Sequence, residues 1–78
     1  MKKILVTGAA GLIGANFTRH LLSQGYNVVG VDNLSGGYKE YLPSHRNFEF
    51  IQANVGDIKV ISLIESGLVS HVYHFAAM

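Results

Sequence analysis

The stretch that decides the fold is Thr7-Gly8-Ala9-Ala10-Gly11-Leu12-Ile13-Gly14, with a glycine at every third position from Gly8. Immediately before it, Lys3-Ile4-Leu5-Val6-Thr7 is a short apolar run without polar alternation, as expected of a strand covered on both faces in a parallel sheet. Immediately after it, Ile13, Phe17 and Leu21 recur at i, i+4 and i+8 beside Leu22, while Asn16, Arg19, His20 and Ser23 take the other side. That is the pattern of an amphipathic helix, and Gly25 stands where such a helix ends. Strand, glycine-rich turn and helix in this order form the context in which spaced glycines carry phosphate. The first glycine permits a tight turn, the second lets an anion approach backbone that has no Cβ, and the third lets the helix pack closely on the strand. The G-x-x-G-x-x-G spacing widens the first step of the better-known G-x-G-x-x-G. The plainer alternative is three glycines that only punctuate a turn.

Outward from the turn, Asn27 to Asp32 is a second apolar run, followed by a long polar loop from Asn33 to Arg46 with one helical turn near Tyr38 to Leu42. Phe48 to Ala53 alternates apolar and polar residues as a third strand nearer a sheet edge would. Asp57 has the chemistry to N-cap a short helix carrying Ile58, Ile61, Leu63 and Ile64, closed by Gly67. His71 to Phe75 reads as a fourth strand. The alternation predicts an α/β fold: the N-terminal half of a Rossmann-type doubly wound parallel sheet, strand order 3-2-1-4, with right-handed crossovers.

Composition narrows the function classes. The 78 residues are 49% apolar and 14% charged, too hydrophobic for disorder and too glycine-interrupted for a coiled coil. Six Lys+Arg against five Asp+Glu, with no basic block, speak against nucleic acid or a membrane surface as partner. There is no Cys, hence no disulfide framework or thiolate zinc site, and the four His are scattered. These features suit a reducing, cytoplasmic setting. Lys2 and Lys3 before an apolar stretch imitate a signal peptide, but glycines break the stretch and no small-x-small cleavage site follows it.

Asp32 ends the second apolar run 18 residues after Gly14 and 24 after Gly8, near the offset of about 20 at which an acidic residue receives the adenosine ribose of a dinucleotide. A carboxylate there accepts from the 2′- and 3′-hydroxyls and repels a 2′-phosphate, so NAD is favoured over NADP. A solvated Asp opening a turn with Asn33 is the bland alternative, and Lys39 and Arg46 keep NADP in view.

With Thr7 to Gly14, Val31-Asp32-Asn33-Leu34-Ser35-Gly36 and Val72-Tyr73-His74-Phe75-Ala76-Ala77 in order, the chain resembles the extended short-chain dehydrogenase/reductase family, in particular its NAD-dependent nucleotide-sugar epimerases and dehydratases. The resemblance spans essentially all 78 residues. It implies pyrophosphate contacts from Gly8, Ala10, Gly11, Leu12 and Ile13, with Gly14 completing the motif, and ribose contacts from Asp32, Asn33 and Ser35. After the third strand the family has G-D-I-x-D where this chain has Ala53-Asn54-Val55-Gly56-Asp57. In register, Asn54 and Val55 hold the adenine and Asp57 caps the helix; a slipped reading gives the adenine to Asp57. The last segment implies contacts from Phe75, Ala76 and Ala77 to the nicotinamide-side ribose and the pyrophosphate. His74 reads as a satisfied core residue within a buried strand.

The family's proton-transfer apparatus is a Tyr-x-x-x-Lys pair, and no tyrosine here has it: four residues after Tyr26, Tyr38, Tyr41 and Tyr73 stand Gly30, Leu42, His45 and Ala77. No catalytic residue is therefore assigned. Residues 1–78 are expected to be a partial NAD-binding domain of a longer epimerase or dehydratase, whose partners would be a nucleotide sugar and, in a homodimer, a second copy. A non-catalytic NAD-binding or regulatory module and a piece of an NADP-dependent reductase are the other readings.

Overall fold

The computed structural model describes residues 2–54 and 56–75. Four strands, β1 (Lys3–Thr7), β2 (Val28–Asp32), β3 (Phe48–Gln52) and β4 (Val69–His74), form one sheet in the order β3-β2-β1-β4 with every pairing parallel. Helix α1 (Leu12–Ser23) joins β1 to β2 and α2 (Ile58–Glu65) joins β3 to β4, while β2 and β3 are connected by a loop whose only regular piece is a single 3-10 turn, Lys39–Tyr41. The chain steps outward from β1 to β2 and then crosses back from β3 to β4. Right-handed crossovers in opposite directions place their helices on opposite faces.

Side-chain alternation along the inner strands matches this. Ile4, Val6 and Val28 pack with Leu21 and Leu22 of α1 on one face, joined by Phe17, Phe48 and Leu42 of the long loop. Leu5, Val29 and Val31 meet Val60 of α2 on the other, flanked by Leu63 and Ile51. Both sides of β1 and β2 are thus dry, which is why these runs lack polar alternation. Gly30 lies in the middle of β2, where a Cβ would stand 2.8 Å from the Ala9 side chain and from the Phe48 ring.

The helix boundaries follow local chemistry. Gly25 and Gly67 take positive φ (89° and 81°) just past the two helices, and Asp57 caps α2 by accepting from the Lys59 N–H at 2.9 Å.

Which faces turn inward is less simply patterned. The buried side of α1 is Gly14, Ala15, Thr18, Leu21 and Leu22, and Ile13 is 69% exposed rather than part of the stripe. The helix lies so close to the turn that only small residues fit beneath its first two turns. The buried Thr18 hydroxyl is satisfied by the Gly14 carbonyl at 2.8 Å. In α2, Val60 is buried while Ile58, Ile61 and Ile64 are exposed.

The fourth strand begins two residues earlier than the sequence suggests and forms one edge of the sheet, so the expectation of a buried His74 does not hold: Val72, Tyr73 and His74 are exposed. Phe17 of α1 covers part of the Tyr73 and Phe75 rings, at centroid distances of 4.7 and 5.4 Å. An apolar edge with half its backbone groups unpaired recruits other strands. Amide exchange is expected to be slow across β1 and β2 and fast along β4, with self-association on size-exclusion chromatography. A monodisperse monomer with β4 protected as well as β1 would contradict this.

Candidate cofactor-binding site

The glycine-rich turn leaves β1 at its C-terminal end. Gly8 has φ 71°, a conformation that disfavours any residue with a Cβ. Its N–H donates to the Val31 carbonyl at 2.8 Å and its carbonyl accepts from the Gly11 N–H at 3.0 Å, which closes the turn. Gly14 is held for a different reason, since a Cβ there would lie 2.1 Å from the Gly8 oxygen. Gly11 is the N-cap of α1 in an ordinary extended conformation (φ −79°, ψ 163°), and a Cβ on it would meet the Gly8 oxygen at 3.3 Å, a tight contact from which the turn must give by a few tenths of an ångström. Backbone conformation therefore does not demand glycine at 11.

No side chain caps α1 and no acidic residue lies in its first turn. The first N–H groups of a helix have no acceptor within it, and here they belong to Leu12 and Ile13, whose residues are both exposed. Uncapped amides at the positive end of the helix dipole, approached over a glycine, fit a phosphate.

Ala10 contributes from inside the fold. It is fully buried, its N–H donates to Asp32 Oδ2 at 2.9 Å and its carbonyl accepts from the Tyr38 N–H at 2.9 Å. Its amide is thus engaged by Asp32.

Asp32, at the end of β2, accepts from Leu34 N–H through its other oxygen at 2.7 Å. Its carboxylate thereby ties the glycine-rich turn to the start of the long loop. Each oxygen retains acceptor capacity toward a hydroxyl, since a carboxylate offers about four lone-pair sites. Leu34 has φ 65°, rare for a residue with a side chain, and the Asp32 bond holds it there. Asn33 accepts from the Ser35 N–H at 2.9 Å and donates through Nδ2 to Asn54 Oδ1 at 2.7 Å. Asp32, Asn33, Ser35 and Asn54 thus form one cluster at the ends of β2 and β3, while Asp57 lies on the helix cap. The Asn54 carbonyl oxygen already holds Asn33 before any adenine approaches it.

Phe75 follows β4 directly, and its N–H donates to the Thr7 carbonyl at 3.1 Å. Val55, Ala76 and Ala77, also expected at the site, lie outside the described residues. Two contributors were not singled out from sequence. Gly37 lies against the turn so closely that a Cβ would stand 2.6 Å from the Ala10 oxygen. Tyr38 supplies the strap to Ala10. Adjacent Gly36 has open space around it, and nothing in the pair Gly36-Gly37 tells the two apart. A separate hollow of about 390 Å³ lies between the second half of α1 and residues 42–45, lined by Arg19, Leu22, Leu42 and His45 among others, and includes none of the expected residues. Among the described residues no group of three or more His, Asp or Glu could hold a metal, and no helix is long and apolar enough to cross a membrane.

A parallel sheet ordered 3-2-1-4, with a phosphate-ready helix start after β1 and a carboxylate ending β2, places the chain among Rossmann-type α/β proteins. Within that class it belongs to the NAD dependent epimerase/dehydratase family, whose pattern matches residues 4–78. It is 41% identical over 78 residues to a UDP-glucose 4-epimerase of Mycolicibacterium smegmatis, covering 96% of this chain and 25% of that protein. The Bordetella bronchiseptica enzyme WbmH, crystallised with NAD+, superposes with a TM-score of 0.87 at 35% identity, covering 100% of this chain and 26% of that one. A Thermotoga maritima UDP-glucose 4-epimerase crystallised with UDP-glucose gives a TM-score of 0.83 at 40% identity, over 97% of this chain and 24% of that one. The chain therefore spans about a quarter of the length of these relatives.

Proposed function

We propose that this chain is the NAD-binding N-terminal part of a nucleotide-sugar epimerase or dehydratase. The observation that carries the reading is the pairing of an uncapped α1 start with Asp32, linked through Ala10 in a single hydrogen-bonded unit. The Leu12 and Ile13 amides bind the pyrophosphate, and Gly11 gives it room. Asp32 accepts from the adenosine ribose hydroxyls, and Asn33, Ser35 and Asn54 border the ribose and adenine. When bound, NAD supplies reversible acceptance of a hydride from a sugar carbon. This chain's share is to bind and orient the cofactor, because the Tyr-x-x-x-Lys pair that moves the proton in this family is not among its residues. The nucleotide sugar is then a substrate of the longer protein, through segments beyond these 78 residues.

The test is a titration of the chain with NAD and NADP, followed by amide NMR so that weak binding is visible. NAD is expected to shift the amides of Leu12, Ile13 and Asn33, and NADP to bind more weakly. Gly11→Val is expected to keep the fold, because the backbone conformation suits any residue, and to lose NAD affinity roughly tenfold or more as the side chain blocks the phosphates. Unchanged affinity in a folded Gly11→Val chain would remove Gly11 from the site. No turnover of a nucleotide sugar is expected from the chain alone.

A further inference from the structure

The paired side chains of Asn33 and Asn54 have a defined orientation. Asn33 Oδ1 accepts from the Ser35 backbone N–H at 2.9 Å, and a backbone N–H can only donate. The atom of Asn33 turned toward Asn54, at 2.7 Å, is therefore its amide nitrogen, and the atom of Asn54 that meets it is the acceptor Oδ1. One backbone amide thus orients both side chains, and it leaves Asn54 Nδ2, with its two N–H donors, uncommitted to Asn33. Among the described residues Asn54 Nδ2 has no hydrogen-bond partner, and Asn54 is exposed. The main chain at this point is held, because the Asn54 carbonyl accepts from the Asp57 N–H at 2.9 Å.

The order of the strand ends brings a purine to this amide. The uncapped start of α1 follows β1, Asp32 ends β2, and Asn54 follows β3, the next strand outward. A nucleotide with its phosphates at the turn and its ribose on Asp32 carries its base outward across the end of β3. The 6-substituent lies on the far side of a purine from the ribose, so it is the group that reaches Asn54. Resting on the NAD reading above, we propose that Asn54 sets the purine preference of the site and admits a 6-oxopurine dinucleotide as readily as NAD. An Asp at this position, as in the pattern G-D-I-x-D, presents only acceptors, which suit the 6-amino group of adenine and oppose a 6-oxygen. Asn54 presents both kinds of group. Its uncommitted N–H donors suit a 6-oxygen, and the second lone pair of Oδ1 accepts from a 6-amino group.

The experiment titrates the 78-residue chain with NAD and with nicotinamide hypoxanthine dinucleotide, which carries a 6-oxygen in place of the 6-amino group, and follows both by NMR. The hypoxanthine dinucleotide is expected to bind the unsubstituted chain within about threefold of NAD, or more tightly, and weaker binding than that overturns the proposal. Asn54→Asp is the decisive variant. A carboxylate there still accepts from Asn33, so the link between the two strand ends is kept, while the donors that face the purine are lost. Asn54→Asp is expected to favour NAD over the hypoxanthine dinucleotide about tenfold. A general loosening of the fold would weaken both dinucleotides alike, so an unchanged ratio in Asn54→Asp overturns the role given to Asn54. The side-chain amide signals of Asn54 test it without any variant. They are expected to move when the hypoxanthine dinucleotide binds, and no movement on binding overturns the proposal. Unsubstituted chain that binds neither dinucleotide overturns the NAD reading and this inference with it. Binding of NAD alone overturns the inference and leaves the NAD reading standing.

Discussion

Gly14→Ala is expected to be the most damaging single-methyl change in the chain. In an exposed helix the same substitution would stabilise by about 1 kcal/mol, because alanine is the better helix former. Here the added Cβ would stand 2.1 Å from the Gly8 carbonyl oxygen and 2.9 Å from its carbon, both backbone atoms that cannot swing aside. Relief requires α1 to lift from the turn, which pulls Leu21 and Leu22 away from Ile4, Val6 and Val28. Overpacking of this kind costs at least about 3 kcal/mol, the upper end of the usual range, and so outweighs the helix propensity gained. In a domain of this size that lowers the melting temperature by roughly 12 °C or more. NAD binding is expected to fall with it, because the Leu12 and Ile13 amides move with the helix. Thermal circular dichroism and an NAD titration measure both, and a melting temperature within a few degrees of the unsubstituted chain would contradict the close contact. The contrast with Gly11→Val is informative, since a Cβ at 14 would lie 2.1 Å from the Gly8 oxygen and one at 11 only 3.3 Å from it, so that a loss of NAD affinity in a folded Gly11→Val chain would report on the ligand.

Asp32→Ala is expected to have two separable effects. Removing the carboxylate leaves the buried Ala10 N–H without its acceptor and releases Leu34 from its left-handed conformation. A buried donor left unpaired costs about 1–3 kcal/mol, so stability should fall by about 2 kcal/mol. The second effect is on the cofactor. Hydrogen bonds to a charged group contribute about 1.5–3 kcal/mol, so loss of the ribose acceptor should weaken NAD roughly 10- to 100-fold. The same substitution removes the repulsion of a 2′-phosphate, so the gap between NAD and NADP should narrow. Isothermal titration with both cofactors, beside a denaturation curve, separates the two. Asp32→Asn offers a single acceptor oxygen and is expected to fall between the two proteins in stability. If the unsubstituted chain binds NADP as tightly as NAD, Asp32 is not the ribose acceptor.

Both effects show how far the molecule can be read from its amino acids. The bounds of β1 are those of the apolar run Lys3–Thr7, because a strand buried on both faces has nothing polar to hide. Gly25, Gly67 and Asp57 mark helix ends through their own conformations and hydrogen bonds, so they too are legible one residue at a time. The strand order 3-2-1-4 is that of the dinucleotide-binding doubly wound class, to which the glycine-rich turn after β1 and the carboxylate ending β2 pointed; alternation and crossover handedness alone also allow 2-1-3-4. The inward face of α1 was only partly legible. The i, i+4, i+8 pattern through Ile13, Phe17 and Leu21 ranks residues by hydrophobicity, but the space under the helix is set by the Gly8 backbone and admits only Gly14, Ala15 and Thr18. His74 misled for a related reason, since its apolar neighbours suggested burial although the expected order 3-2-1-4 itself puts the fourth strand at a sheet edge.

What the sequence by itself determined is the succession of elements, the α/β class and the residue types available at each chain position: glycines at every third position of the turn, a carboxylate 18 residues beyond Gly14, and no Tyr-x-x-x-Lys. Those properties reside in single residues or in short local spacings, where steric and hydrogen-bonding preferences act within one or two turns of chain. Tertiary structure alone decided that Asp32 grips Ala10, that Gly37 rather than Gly36 presses on the turn, that Asn33 meets Asn54 and that Thr7 meets His74. Each of these joins residues at least 21 positions apart, and the contact exists only once β1, β2, β3 and β4 lie side by side with their C-terminal ends together.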